Sequence, residues 1–440
     1  MEAGSNHALR IAGQPPTILM VGWGSAVPPA REDVIERVRQ ATGLLEVGPA
    51  ATNIPADMLW GQPVRVGAAA ELMGFWAQPG IDVSAPNLLG QPPVKPARWC
   101  VGIQAMADAQ HPYEWYARLL GLARASFSDL AFVSDPLSGA IWGPEDLDFI
   151  LAGPLLPDGV LWSTQAARAA KDGNEAVAAW IHTAGLARFA RPELEMLEVP
   201  HHLISTARFL LDELADRFIH EPLPPPGVPI PVGGESPDEF LWVVVQPWEL
   251  AARFLPAGAP GQREHRALFL DSSAIAVSAA VCAAQPQGAF ARAWTCPIGV
   301  LERIRTGAIS ILQSDLAMKR REVLAQYGWP ELALAFQDAR RARPSQEPLP
   351  ARFFVQTSLP IDAASGRFES ITLEIDEIEG DRAVGALLHD ARCNPHFRQG
   401  HRIEVRCEKV TDWFVETPMG RIGSQHRRAL RSAMAAIAAR

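Results

Sequence analysis

The hydrophobic pattern of the first 220 residues alternates between strands and helices. An apolar run at residues 17–21 predicts a buried strand, and apolar positions at helical spacing predict a helix over residues 30–42. Further runs of β-forming residues predict strands at residues 99–104, 130–134, 160–163 and 195–199. The most regular amphipathic helix is predicted over residues 202–219. Interleaved strands and helices of this kind indicate a layered, mixed α/β domain.

The pattern changes further along the chain. Within residues 240–343, the pattern predicts mainly helix from residue 272 onward. Two strands are predicted before that point, at residues 240–246 and 267–270. After residue 350 the apolar positions alternate with a period of two, which predicts a small, mostly antiparallel sheet or open barrel. An Ala/Arg-rich helix is predicted at residues 427–440.

Two proline-rich stretches separate these patterns. Residues 221–239 are rich in proline and glycine, and residues 343–350 are a shorter stretch of the same kind. Because proline fixes φ and lacks an N–H donor, both are predicted to be extended connectors, neither helix nor central strand. The sequence therefore predicts an α+β, multidomain protein. Its predicted parts are a mixed α/β domain (1–220), a linker (221–239), a mainly helical α+β domain (240–343) and a β domain with a terminal helix (350–440).

Composition narrows the classes of protein. The chain has 440 residues, of which 48% are hydrophobic and 20% charged, enough for about two to four domains with their own cores. The apolar runs are shorter than the roughly 18 residues that span a bilayer, so no membrane span is expected. The net charge of −9 argues against a general nucleic-acid binder. The residues from Ser345 onward carry equal numbers of acids and bases, which favours a separate unit.

Cysteine usage bears on the compartment. The five cysteines are widely scattered, which is not the pattern of a disulfide framework. The apolar run near the N-terminus is interrupted by glycines and is too short for a secretory signal. Arginine far outnumbers lysine, as expected of a GC-rich bacterial genome. We therefore expect a cytoplasmic bacterial protein with reduced thiols.

Several glycines and an Asp-Trp pair occur in a characteristic order near the end of the chain. They are Gly385 with Leu387, Gly400, Asp412 with Trp413, Gly420, Gly423 and Arg427 with Arg428. In this order residues 350–432 resemble a bacterial family, domain of unknown function 2314 (YegJ-like). That family usually has an acidic residue after the glycine where this chain has His401, so any role of that acid is absent.

A second motif lies in the first half. The segment Trp180–Glu195, WIHTAGLARFARPELE, resembles domain of unknown function 4026, which we expect to cover the region before the C-terminal domain. Neither family has a known activity. The two resemblances therefore imply how the chain is organised and leave its chemistry open.

Strong catalytic motifs are absent from the sequence. There is no G-x-S-x-G, H-E-x-x-H, G-x-x-x-x-G-K-[ST] or paired C-x-x-C. The turn Gly22–Ser25 follows a predicted strand and could cradle a phosphate, but Val27 occupies the place of the third glycine of a dinucleotide site. A tight strand-to-helix turn is the favoured interpretation, and no cofactor is predicted.

One stretch concentrates groups suited to acid–base chemistry. Groups such as His182, Arg188 and Glu193 could together supply an acid, a base and an anion clamp, with Asp135 or Asp271 at the ends of apolar strands. The same stretch holds further polar residues, namely Arg191, Glu195, His201 and His202. The alternative, which we favour, is a structural corner in which the arginines pair with the glutamates.

Two further groups have a functional and a structural interpretation. A run of nitrogen and sulfur ligands that could hold zinc is formed by His389, Cys393, His396 and His401. Their order is unlike a zinc knuckle, so we expect no metal there. Asp412 and Trp413 are candidate contacts for a partner, although a tryptophan at such a position is more often core.

These observations favour a non-catalytic, protein-binding or adaptor protein, of which an immunity or stress-associated protein is one form. Its expected partner is another protein, not nucleic acid or a membrane, and its oligomeric state is open. The alternative is a hydrolase-like enzyme that uses the His/Glu/Asp cluster of the first domain.

Overall fold

The computed structural model of the chain divides into two compact units. The first comprises residues 1–148 and 158–313, and the second residues 149–157 and 314–440. The structure describes residues 14–68, 70–81, 94–168, 178–236, 239–255, 259, 261–262, 278–284, 296–306, 310–312, 314–342, 351–360, 368–391, 393–418 and 420–438. The division falls at other positions than the two predicted connectors, and whether the predicted domains fold independently stays a prediction.

The first unit begins with an antiparallel seven-stranded sheet. Its strands are β1 (Thr17–Trp23), β2 (Leu45–Val47), β3 (Trp60–Val66), β4 (Glu71–Pro79), β5 (Trp99–Ala105), β6 (Val133–Asp135) and β7 (Ala140–Trp142). They pair in the order β2-β3-β4-β5-β1-β6-β7, so the predicted first strand is central. The sheet is accompanied by α1 (Arg31–Thr42), α2 (Pro112–Ser126) and the start of α3 (Pro144–Leu151), whose residues from 149 onward belong to the second unit. Helix α1 ends where Gly43 takes a left-handed φ of 70°.

A second seven-stranded sheet completes this unit. Its strands are β8 (Ser163–Arg168), β9 (Ala178–Ala184), β10 (Glu193–Pro200), β11 (Pro229–Ser236), β12 (Glu239–Pro247), β13 (Ser278–Ala283) and β14 (Ser310–Ile311). Their order is β14-β11-β12-β13-β10-β9-β8, in which β10 and β13 pair in parallel and the other neighbours antiparallel. The helices are α4 (Ile204–His220), α5 (Trp248–Ala251) and α6 (Ile298–Arg305). The predicted amphipathic helix is α4, which buries Leu210, Leu211 and Leu214.

The stretch 221–239, predicted to be a connector without a central strand, contains β11. This strand lies between β12 and β14 in the sheet, so that prediction was wrong. The physical reason is in the register. Among the described residues, Pro229 and Pro231 pair with β12 alone, whereas β14 pairs at Gly233 and Gly234, where N–H donors are present. The prolines therefore occupy the part of β11 that behaves as a sheet edge.

The region predicted to be helical from residue 272 onward also contains strands. β13 is short and rich in alanine, a composition that does not distinguish strand from helix. It becomes a strand because it fills the place between β10 and β12, where residues 278–282 are almost completely buried. The strand predicted at residues 267–270, and Asp271 after it, lie outside the described residues.

The second unit is built on a six-stranded antiparallel sheet. Its strands are β15 (Arg352–Pro360), β16 (Phe368–Glu379), β17 (Arg382–Leu387), β18 (Arg402–Arg406), β19 (Val410–Thr417) and β20 (Gly420–Gly423), in the order β18-β17-β16-β15-β19-β20. The helices are α7 (Asp315–Tyr327), α8 (Trp329–Ala342) and α9 (Arg427–Ala438). Alternate strand residues such as Phe353, Leu373 and Trp413 form one core with Leu332 and Leu430 of the helices. The α+β fold class is thereby confirmed.

Candidate functional site

The structure brings two of the predicted catalytic residues together in a buried ion pair. Arg188 Nη2 lies 2.6 Å from Asp135 Oδ2, and both side chains are 0% exposed. Asp135 ends β6 of the first sheet, while Arg188 lies in the 3-10 turn Leu186–Phe189 that follows β9 of the second. The Tyr116 hydroxyl of α2 donates to the same carboxylate oxygen at 2.6 Å. The ion pair therefore connects the two sheets of the first unit.

The carboxylate of Asp135 is fully engaged by its surroundings. Its Oδ1 accepts the N–H of Leu137, and its Oδ2 accepts the Ser138 hydroxyl at 2.8 Å in addition to the two donors above. Burial and the adjacent charge of Asp135 raise the pKa of Tyr116 well above its usual value. Burial alone would lower the pKa of Arg188. The interactions with Asp135 and Tyr116 raise this pKa by more than burial lowers it, so the net shift is upward. The tyrosine therefore stays protonated and the arginine stays charged at neutral pH.

Glu193 is buried in a separate hydrogen-bonded turn. Its Oε2 accepts the Thr183 hydroxyl at 2.8 Å, and its Oε1 accepts the N–H groups of Gly185 at 2.9 Å and Ala187 at 3.0 Å. Burial raises its pKa, against the effect of these hydrogen bonds. A Cβ at Gly185, whose φ is +123°, would lie 2.7 Å from the carbonyl oxygen of Leu161. The carboxylate and the glycine thus shape this turn.

His182 is 0% exposed and stacks on Trp180 at a centroid distance of 4.2 Å. Its Nδ1 lies 3.0 Å from the carbonyl oxygen of Thr183. Trp180 Nε1 donates to Glu195 Oε2 at 2.9 Å, so this second glutamate is also bound within the core. By contrast, His202 is exposed and its Nε2 lies 2.8 Å from Glu302 Oε1. These polar residues, which are close together in the sequence, are therefore divided between the core, where His182 and Glu195 lie, and the surface, where His202 lies.

In the structure these predicted site residues form a buried, hydrogen-bonded corner. The buried positions of His182, Arg188, Glu193 and Asp135 leave no exposed face for a substrate on these four side chains. The partners of Arg188 differ from those predicted, because the carboxylate it contacts is Asp135 and not a nearby glutamate. The hydrolase-like role gains no supporting observation here and stays a prediction.

The candidate metal ligands lie in the loop between β17 and β18. Cys393 is exposed, and its N–H donates to Glu369 Oε2 at 2.9 Å. His401 Nδ1 accepts the N–H of Arg398 at 3.3 Å, which uses one ring nitrogen. Across the parts of the chain that the structure describes, no group of three or more His, Cys, Asp or Glu side chains is arranged to hold a metal ion.

Trp413 lies in the core of the second unit, which corrects its candidate role as an exposed contact. Its exposed fraction is 0%, and its Nε1 donates to the carbonyl oxygen of Ala325 in α7 at 3.0 Å. Asp412 Oδ1 accepts the Ser424 hydroxyl at 2.6 Å, and burial raises the pKa of Asp412. The alternation of β19 places the tryptophan on the face that the helices cover.

The Gly22–Ser25 turn is accounted for by packing. A Cβ at Gly22 would lie 2.6 Å from the Phe132 ring, and one at Gly24 would lie 2.0 Å from the carbonyl oxygen of Asp129. Such distances require glycine at both positions. Packing in the turn therefore accounts for both glycines.

An apolar groove that the sequence analysis did not identify lies in the first unit between β12 and α6. Its volume is about 830 Å³, and it is lined by Pro229, Phe240, Leu241, Trp242, Ala283, Ala284, Pro297, Gly299, Val300 and Arg303. We call it the β12–α6 groove. Phe240 and Trp242 are 36% and 42% exposed, and their rings meet edge to face at 5.9 Å.

The groove arises from how β12 is covered along its length. Phe240, Trp242 and Val244 share one face of the strand because alternate residues point the same way. Val244 is buried in a cluster with Trp180 and Ala251, whereas the two aromatic residues before it stay exposed among the described residues. The continuous apolar run of β12 is typical of a strand that is buried on both faces, so the groove was not predictable from that run.

A second, more polar cleft of about 740 Å³ lies in the second unit between α8 and β16. Its floor contains Phe336 and Ile378, and its walls carry arginines and acids in similar numbers. Arg402 lies 3.6 Å from Asp376, and Arg340 hydrogen-bonds the main-chain oxygen of the same aspartate. Within the cleft, Asp376 is therefore contacted by both Arg402 and Arg340.

Comparison with known proteins gives one family match. Residues 166–278 match the model described as protein of unknown function (DUF4026) C-terminal, so this part of the chain is similar to that family. The matched range contains the predicted motif Trp180–Glu195 and the strands β9 to β12, which supports the predicted resemblance for this part. The match does not extend to residues 350–432. Neither curated proteins nor solved structures give a match.

None of the described helices combines sufficient length with sufficient apolar character to cross a bilayer.

Proposed function

We propose that this chain is a non-catalytic, protein-binding protein, and that the β12–α6 groove receives an apolar segment of a partner protein. The observation that carries the proposal is the pair Phe240 and Trp242, two large aromatic side chains exposed side by side in a concave surface. Aromatic residues, and tryptophan above all, dominate the energetics of protein interfaces when a partner covers them.

The composition of the groove favours a protein segment as the occupant. Among the described residues that line it, Arg303 is the one charged residue, and the others are apolar or glycine. Such a surface gains free energy by burying apolar area, at about 25 cal/mol per Å², and offers little to a highly charged ligand. Exposed apolar residues also adjoin it in sequence, namely Val228 at 43% and Ile298 at 45%.

The burial of the catalytic candidates supports the non-catalytic part of the proposal. The carboxylates of Asp135 and Glu193 are held by internal hydrogen bonds and, for Asp135, by the ion pair with Arg188, as structural polar groups in cores are. An adaptor role in the cytoplasm, of which immunity or stress-associated function is one form, is the specific role we propose.

The proposal includes the resemblance of residues 350–432 to family 2314. Its support is that the motif residues have clear structural roles in an antiparallel sheet. Gly385 faces β16 so closely that a Cβ would lie 2.4 Å from the carbonyl oxygen of Glu374, and Gly400 takes a φ of +84°. Trp413 fills the core between sheet and helices.

Site-specific photo-crosslinking tests the groove directly. We expect the full-length chain with p-benzoylphenylalanine at position 240 to crosslink to a discrete partner in the cells that make it. The matched control carries the same group in place of Leu72, which is 60% exposed on β4 of the other sheet. The proposal requires a crosslink from position 240 that the control lacks. Identical crosslinks at both positions, or none at position 240, would rule it out.

The crosslinked partner then allows a quantitative measurement. We expect Trp242→Ala to weaken binding of that purified partner at least tenfold. Truncation of an aromatic anchor commonly costs about 2 kcal/mol or more of binding free energy. Leu72→Ala is expected to leave the Kd unchanged. Because Trp242 is 42% exposed, circular dichroism of the variant should match the wild type. A Kd that changes by less than twofold for Trp242→Ala would contradict the proposal.

A further inference from the structure

We draw no further inference here: the strongest candidate, the apolar β12–α6 groove of the first unit, belongs to the site on which the proposed function already rests, and nothing in the structure shows which partner segment covers it.

Discussion

The ion pair between Arg188 and Asp135 shows what a fully buried charge requires. Removing both groups from water is costly, and the cost is offset here by a 2.6 Å contact and by the hydroxyl groups of Tyr116 and Ser138. The pair joins chain segments 53 positions apart. Sequence alone offered both residues as candidates, but it could not pair them, because the contact depends on how two separate sheets pack.

Loss of one partner of this pair is expected to be severe. Arg188→Met leaves the Asp135 carboxylate buried without its cation, which should lower the free energy of unfolding by about 3–5 kcal/mol. Urea denaturation of the single variants and of the double variant Arg188→Met/Asp135→Asn checks this. We expect the double variant to lose less than the two single losses combined. Strict additivity would show that the two side chains do not interact.

Asp212 of α4 provides a residue-scale prediction about pH. Its Oδ1 accepts the Thr164 hydroxyl at 2.5 Å and Trp162 Nε1 at 3.2 Å. Burial raises its pKa to about 6, although both hydrogen bonds lower it. An acid whose folded pKa exceeds its unfolded value of about 3.9 favours folding when protonated. Its contribution is therefore full below pH 4 and is lost as the pH rises through 6.

The expected loss at Asp212 is about 3 kcal/mol, at 1.36 kcal/mol per pKa unit. Denaturant unfolding at closely spaced pH values between 4 and 7 measures it. Asp212→Asn should remove this part of the pH dependence because the amide does not ionise, whereas Glu46→Gln, at an exposed position, should retain it. An Asp212→Asn profile parallel to that of the wild type would refute the assignment.

At the scale of the element, strong periodicity predicted structure well and composition did not. The regular helix α4 lies where the pattern placed it, and the alternating strand β16 lies in the region after residue 350 that was predicted to form a sheet. β11 and β13 were missed, because their proline and alanine content argues against strands until neighbouring strands supply the hydrogen bonds. The β12–α6 groove was missed for a related reason, since exposure depends on the covering elements and not on the strand itself.

Two glycine-to-alanine substitutions, each within one element, are expected to change the stability of the protein in opposite directions. Gly385→Ala should destabilise the second unit by about 1–3 kcal/mol, because its Cβ would lie 2.4 Å from the carbonyl oxygen of Glu374 and the sheet must shift. Gly121→Ala, within α2, meets nothing within 4 Å and should stabilise by about 0.5–1 kcal/mol. Thermal unfolding of both variants measures the two effects. A neutral Gly385→Ala would show that β16 and β17 accommodate the methyl group.

At the scale of the whole molecule, the second unit is discontinuous in sequence. Residues 149–157 belong to it, although the pattern and the connectors placed them within a domain of residues 1–220. Tyr327 donates to the carbonyl oxygen of Ala152 at 2.8 Å, and Arg320 Nη2 to that of Leu156 at 2.7 Å. Contacts over such separations leave no local pattern, and for this reason the sequence did not predict them.

Phe149 is expected to matter for the stability of this unit. The guanidinium groups of Arg427 and Arg431 lie 4.7 Å and 5.0 Å from its ring centroid. Phe149→Ala should lower the free energy of unfolding of the second unit by about 1–2 kcal/mol or more through lost cation–π contacts and packing. Hydrogen exchange of the β19 amides measures the change locally. Phe149→Leu is the control for apolar volume, and it should recover only part of the loss.

The discontinuity also sets an order of events during translation. Ribosomes extend a chain at about 5–20 residues per second, so the short segment 149–157 emerges on the order of ten seconds before α7 and the last strands follow. For that interval Phe149 has left the tunnel without the arginines that later cover it. Nascent chains halted before residue 314 should therefore be cleaved by protease within this segment more readily than the finished protein.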